Sequence, residues 1–174
     1  MEKKGILIVL SGFSGAGKGT VVKRLLQKYD EYALSISMTT RAPRPGEKDG
    51  VEYFFTTREK FEEIIVRNGL IEYALYCGNY YGTPREYVEE KLSAGKNVIL
   101  EIEIQGALKI KEKFPESLLL FVTPPSVMEL KRRLEGRGTE EPEVIARRLA
   151  RAAEESEGIN AYDYIVVNDD LEVC

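Results

Sequence analysis

A chain of 174 residues with 43% apolar and 31% charged side chains has the length of one domain and the composition of a folded globular protein, which excludes disordered, collagenous and coiled-coil classes. It contains no histidine and two cysteines, Cys77 and Cys174, which excludes Ser-His-Asp and Cys-His nucleophilic machinery, histidine-ligated zinc and thiolate clusters. Lys and Arg number 25 against 29 Asp and Glu, a net charge of −4, so there is no global attraction to nucleic acid or to an anionic membrane, and any anion must be caught by local basic clusters.

Two distant cysteines read as free thiols of a reducing compartment. The longest apolar runs, 6–10 and 118–122, are too short for a signal h-region or a membrane span. The expected location is therefore cytoplasmic, as a monomer or a homo-oligomer.

The run 6–10 predicts a strand. After it come Gly12, Phe13, Ser14, Gly15, Ala16, Gly17, Lys18, Gly19 and Thr20, then helical spacing through Val21, Val22, Leu25 and Leu26. Strand, glycine loop and helix in that order form a phosphate cradle: the glycines let successive N–H groups point at phosphate oxygens, the helix N-terminus favours negative charge, and Lys18 reaches the outer phosphates. The loop suits a nucleoside triphosphate. It departs from G-x-x-x-x-G-K-[ST] at Gly19, where a hydroxyl would approach Mg²⁺, and Thr20 comes one residue later.

A second apolar run, 33–38, predicts another strand, followed by Thr39, Thr40, Arg41, Ala42, Pro43, Arg44, Pro45 and Gly46. Polyproline II spacing puts Arg41 and Arg44 on one side, with Cα atoms roughly 9 Å apart. Two guanidinium forks can converge on one phosphate, and Tyr53, Tyr80 and Tyr81 can add hydrogen bonds. The segment reads as a monophosphate receptor. A short run 51–55, a charged helix 58–68 announced by Thr56 and Glu59, and a strand 70–77 follow. Alternation puts Glu72 on the face of Leu70, Ala74 and Tyr76. A carboxylate there accepts from guanine's adjacent N1–H and amine, whereas adenine offers an acceptor at N1. Thr83 reads as a helix cap first and a ligand contact second, with Pro84 at the first helical position. Residues 39–94 thus interrupt the regular alternation and are expected to form an inserted lobe.

The run 98–104 predicts a buried strand whose two acids, Glu101 and Glu103, share one face at the carboxyl edge, where ligands of open α/β sheets bind. They are placed to hold Mg²⁺-bound water or the second substrate, with Thr20 and Glu101 as candidate metal contacts. Paired acids also suit glycoside hydrolysis, a reading the phosphate loop excludes. A strand at 118–122, a helix starting at Ser126 with Glu129 three residues on, and a strand Tyr164–Val167 complete the alternation. Arg132, Arg133, Arg137, Arg147, Arg148 and Arg151 crowd the helices on either side of the glycine-containing segment 136–142, which reads as a lid. Of these, Arg133, Arg137 and Arg148 are the candidates for contact with transferring phosphates. The expected architecture is α/β: a phosphate-loop core of mostly parallel sheet flanked by helices, about 1–38 and 95–174, the lobe, and a lid within 126–157.

Assembled, these residues resemble guanylate kinase over nearly the whole chain, through 12–20, 37–44, 78–82, 134–139 and 167–171. The resemblance implies MgATP-dependent phosphorylation of GMP and dGMP. It implies that Arg41, Arg44, Tyr53 and Tyr81 hold the GMP phosphate, and that Ser37, Glu72, Thr83 and Glu103 surround guanine; Glu101, from its place on the strand, is a further candidate on the GMP side. Lys18, Arg137 and Arg148 would meet the ATP phosphates or the transferring group, Arg133 would lie close by, and Asn168 would lie near adenine. Catalysis would rest on Lys18, Arg41, Arg137 and Arg148. The chain departs from the family at Glu103, where Asp is usual, and at Gly19, which is similar to the loop of adenylate kinases. The family usually continues past the position of Cys174 into a final helix. Two rivals follow: a kinase for AMP or UMP, and a catalytically silent guanylate-kinase-like module that binds a phosphorylated protein.

Overall fold

The computed structural model describes residues 4–136 and 142–174. Five parallel strands form the main sheet in the order β2-β7-β1-β8-β9: β1 (Leu7–Gly12), β2 (Tyr32–Ser35), β7 (Asn97–Glu101), β8 (Leu118–Thr123) and β9 (Tyr164–Val167). Strand β1 is central, with β7 on one side and β8 on the other, so the crevice beyond its carboxyl end is the topological switch point where open α/β sheets take ligands.

The central strands β7, β1 and β8 are apolar on both faces because both faces are covered, whereas edge strand β9 leaves Tyr164, Ile165 and Val167 exposed. On one, Leu7, Val9, Val98, Leu100, Leu119 and Phe121 pack with Val88 and Leu92 of α3 (Arg85–Ser93) and Ala107 and Ile110 of α4 (Ile104–Lys113). On the other, Ile8, Leu10, Ile99 and Val122 meet Val22, Leu25 and Leu26 of α1 (Lys18–Lys28). A third cluster joins α5 (Val127–Gly136) to α6 (Pro142–Ser156) through Leu130, Leu134, Ile145 and Ala152.

A second sheet, β4-β3-β6-β5, is built from β3 (Met38–Thr39), β4 (Phe54–Phe55), β5 (Leu70–Tyr76) and β6 (Asn79–Pro84), with α2 (Arg58–Val66) before β5. The run 33–38, expected as one strand, is therefore split between the two sheets. Strand β6 was not expected at all. It pairs antiparallel with β5 across the two-residue turn Cys77-Gly78, both at positive φ, 49° and 79°, as a tight hairpin turn requires. Edge strand β5 is covered by α4: Lys109 Nζ donates to the Tyr73 carbonyl at 2.7 Å and Lys113 Nζ to the Ile71 carbonyl at 2.9 Å. Lysines four apart on the helix thus reach carbonyls two apart on the strand, which blunts the edge and ties the second sheet to the main core.

Of the three expected helix starts, one holds and two differ in detail. Ser126 caps α5 as predicted, its Oγ accepting from the Glu129 N–H at 3.1 Å. The cap of α2 is Thr57, which accepts from Lys60 N–H, one residue beyond Thr56. Thr83 is not a cap: it lies inside β6, and Pro84 occupies the N-cap of α3 without a side-chain bond. Its hydroxyl is thereby released for another partner. Among the described residues no helix is long and apolar enough to cross a membrane.

Candidate active site

The glycine loop leaves the carboxyl end of β1 and enters α1 through Gly17, the N-cap, at φ +89°. A side chain there would also collide with Asn168: its Cβ would stand 2.5 Å from Nδ2. Asn168, which the resemblance places near adenine, is buried, and Nδ2 donates to the Ala16 carbonyl at 2.8 Å. Arg133 braces the same point, with Nη1 3.4 Å from the Ala16 carbonyl, Nη2 2.9 Å from the Asn168 carbonyl and Nε on Glu129 at 2.7 Å. Phe13, a variable position of the loop motif, packs against all three apolar clusters, edge-on to Phe121 at 5.0 Å. The loop is thus anchored by its own phenylalanine and braced by groups from α5 and the segment after β9, a support that the motif does not reveal.

Lys18 Nζ arches back over the loop to the Gly12 carbonyl at 2.8 Å and the Phe13 carbonyl at 3.3 Å. Arg148 of α6 donates from Nη1 to Ser14 Oγ. Gly15 also lies in the loop, packed beneath Leu134, and Gly19 and Thr20 are exposed on the first turn of α1. Arg137 lies outside the described residues, as does most of the expected lid segment.

Across the crevice, Arg41 forms a half-buried ion pair with Glu47, Nη2 lying 2.9 Å from both carboxylate oxygens. Its guanidinium stacks on Tyr53 at 5.4 Å and Phe55 at 5.8 Å. Tyr81 stands edge-on to Tyr53 at 5.9 Å, and Arg44 is exposed in the same loop, its N–H donating to Glu47 at 2.7 Å. Against burial, which would raise it, hydrogen bonds from the Arg44 N–H and Arg41 hold the Glu47 carboxyl below the usual range. Ser37 is half-buried between β2 and β3.

Glu72 is 3% exposed, which excludes a solvent-facing acid. A register shift between Leu70 and Tyr73 buries Leu70, Ile71 and Glu72 in succession, so that Ile71 enters the main core and Glu72 turns toward the crevice, as bulges re-aim side chains. The Thr83 hydroxyl donates to Glu72 Oε1 at 2.7 Å. Gly106 lies against Oε2, where a Cβ would come within 2.8 Å. Burial pushes the Glu72 carboxyl up to about 7; the Thr83 hydrogen bond opposes it, Glu103 adds to it, and Lys109 and Lys113 oppose it.

The expected pair of strand acids is divided. Strand β7 ends at Glu101; Glu103 is instead the N-cap of α4, accepting from the N–H groups of Gln105 at 3.1 Å and Gly106 at 3.0 Å. Glu101 is half-buried, its carboxyl raised by burial with Lys18 opposing. Its Oε2 lies 4.0 Å from where a Cβ of residue 19 would stand, so the space beside Gly19 faces a carboxylate. Among the described residues no group of three or more acidic or thiol ligands is gathered to hold a metal. This donor set fits a divalent ion carried largely by phosphate oxygens and water, with Glu101 and Thr20 at its margin.

The guanylate kinase family model matches residues 4–174. A guanylate kinase of Oceanobacillus iheyensis is 55% identical over 172 residues, covering 99% of this chain and 84% of that protein. One from Lactococcus lactis subsp. lactis is 53% identical over 174 residues, covering 100% and 85%. The crystal structure of guanylate kinase from Anaplasma phagocytophilum superposes with a TM-score of 0.80 at 37% identity, covering 98% of this chain and 80% of that one. A shikimate kinase from Bacteroides thetaiotaomicron, TM-score 0.51 at 19% identity, shares the fold alone. The phosphate loop, the stacked arginine and the buried acid all lie within the stretch that the family model and relatives more than half identical match, and the chain belongs to the guanylate kinase family.

Proposed function

We propose that this chain transfers the γ-phosphoryl group of ATP to GMP, and to dGMP, yielding the diphosphates. The observation that carries the reading is the presence in one chain of a glycine phosphate loop with its lysine, Lys18, and a buried acceptor, Glu72, suited to guanine's paired donors. Family membership supports the same chemistry.

In this reading the loop 12–20 holds the ATP phosphates with Lys18, Arg148 and Arg137, braced by Arg133 and Asn168. Arg41, Arg44, Tyr53 and Tyr81 hold the acceptor phosphate, and Ser37, Glu72, Thr83, Glu101 and Glu103 line the guanine side. Residues 39–94 form the acceptor lobe, and 126–157 include the lid. Mg²⁺, carried by the ATP phosphates, would neutralise charge on the transferring group. Transfer is in line, and the residues act by positioning and by stabilising spread negative charge. A monophosphate with a second pKa near 6 is already largely dianionic at neutral pH, so the reaction needs no general base and the lack of histidine is no obstacle.

The test is ADP release with GMP, AMP, UMP and CMP in turn. Fast release with GMP alone is expected. Equal rates with AMP would overturn the role of Glu72, and release with none would favour the silent phosphoprotein-binding module, against which the intact loop and Lys18 argue.

A further inference from the structure

Helix α6 touches both the phosphate loop and the β5–β6 hairpin of the acceptor lobe. Arg148 reaches Ser14 of the phosphate loop. One turn on, Arg151 leaves the main core and lies over Tyr76 of the β5–β6 hairpin, its Cζ 3.9 Å from the ring centroid. The contact is deep within the range where a guanidinium is attracted to a ring face. Arg151 is held there from two other sides: Nε donates to Glu155 at 3.2 Å, and Nη1 lies 3.9 Å from Cys77 Sγ at the hairpin turn. Tyr76 in turn stands edge-on to Tyr81 at 6.0 Å, Tyr81 to Tyr53 at 5.9 Å, and Tyr53 supports Arg41. A continuous series of packed groups therefore runs from Ser14 through α6 to Arg41. Buried Ile145 and Ala152 fix α6 against α5, so the helix can transmit position.

We propose that Arg151 is a positioning residue: its stacking on Tyr76 clasps the acceptor hairpin to α6 and so sets the two phosphate sites at their working separation. The inference rests on the functional reading above and goes beyond it, because Arg151 belongs to neither phosphate site. Clasped and released forms are in equilibrium, and both nucleotides bind the clasped form better. Population arithmetic then gives a specific signature. Releasing the clasp divides the competent fraction by one factor, which weakens GMP and an ATP analogue equally when each is measured alone, and saturation with either restores affinity for the other.

The experiment is calorimetric titration of the whole chain with GMP, with a non-hydrolysable ATP analogue and Mg²⁺, and with each in the presence of the other. Arg151→Met and Tyr76→Leu are each expected to raise both single-nucleotide dissociation constants about threefold to tenfold. The double variant is expected to be no worse than either single one. Tyr76→Phe, which keeps the ring, is expected to match the unaltered chain. Weakening of one nucleotide only, unchanged constants, or a loss that saturation with the partner fails to restore would each overturn the clasp. If the unaltered chain binds no GMP, the functional reading fails and the clasp with it, an outcome recognisable before any variant is made.

Discussion

Glu72→Gln removes a buried titration and a guanine-directed acceptor in one step, and the two consequences have opposite signs. The folded-state pKa of Glu72 is about 7 against an ordinary 4.5. Between those values the folded chain holds more protons than the unfolded one, so stability falls as pH rises from 4.5 and levels off above 7. Glutamine has no such term. The variant is expected to be more stable by up to about 3 kcal/mol at pH 8, shrinking to less than ~1 kcal/mol at pH 5; urea unfolding at the two pH values measures the difference.

Guanine recognition runs the other way. Only the carboxylate accepts from both guanine donors, while glutamine turns an amine toward one of them, so GMP affinity is expected to drop roughly tenfold to a hundredfold at pH 8. In the unaltered chain, protonation of Glu72 weakens GMP by a factor of 1 plus the ratio of protonated to ionised form, about twofold at pH 7 and about elevenfold at pH 6. The GMP phosphate also titrates near 6, but identically in both proteins. The ratio of the two GMP dissociation constants therefore isolates Glu72 and is expected to shrink about tenfold between pH 8 and pH 6. A ratio independent of pH, or a stability gain over the unaltered chain no larger at pH 8 than at pH 5, refutes the reasoning.

Arg44→Ala is expected to raise the GMP KM about tenfold or more while leaving that for ATP in place, whereas Lys18→Ala lowers kcat at least about a hundredfold; steady-state kinetics separates them. Asn168→Ala leaves the Ala16 carbonyl without its 2.8 Å donor, which is expected to cost about 1–3 kcal/mol in thermal unfolding and to raise the ATP KM more than the GMP KM. Gly106→Ala puts a methyl 2.8 Å from Glu72 Oε2. Because alanine also favours the helix by about 1 kcal/mol, the fold is expected to hold while GMP binding weakens about tenfold, read by titration with GMP and with ATP separately.

What the sequence made legible depended on whether a local rule carried it. The order of strand, glycine loop and helix at 12–20 is a local pattern, and the main sheet follows from runs of apolar residues long enough to be read. The burial of Glu72 was anticipated from alternation, although the structure achieves it through a bulge that alternation does not foresee. Strand β6 escaped because its turn, Cys77-Gly78, lacks the usual Asn or Asp before glycine, and because Thr-Pro-x-Glu, which marks the start of α3, hides the strand that runs directly into it. The misplacement of Glu103 has a similar cause: an apolar-acidic alternation continues across the end of β7, while the cap that terminates it depends on two N–H groups of α4. The bracing of Ala16 by Arg133 and Asn168 joins residues 117 and 152 positions away, and spacing along the chain carries no signal at that range.

The charge arrangement explains how a chain of net charge −4 can gather two polyanions. Arg41 is paired with Glu47, Arg133 with Glu129 and Arg151 with Glu155. Hydrogen bonds from Arg132 and Arg133 hold the Glu129 carboxyl down to about 2, so that pair stays charged throughout the working range. A phosphate that approaches Arg41 meets a cation already oriented by a carboxylate and two aromatic rings, and it exchanges with or joins that partner. Each of these pairs lies near the surface, where solvent screens the attraction, and exchange returns only the difference between phosphate and carboxylate. The arginines are thus held in place without the full gain of neutralising an isolated cation. That limits how tightly a nucleotide is retained, as a phosphotransferase that must release both products requires.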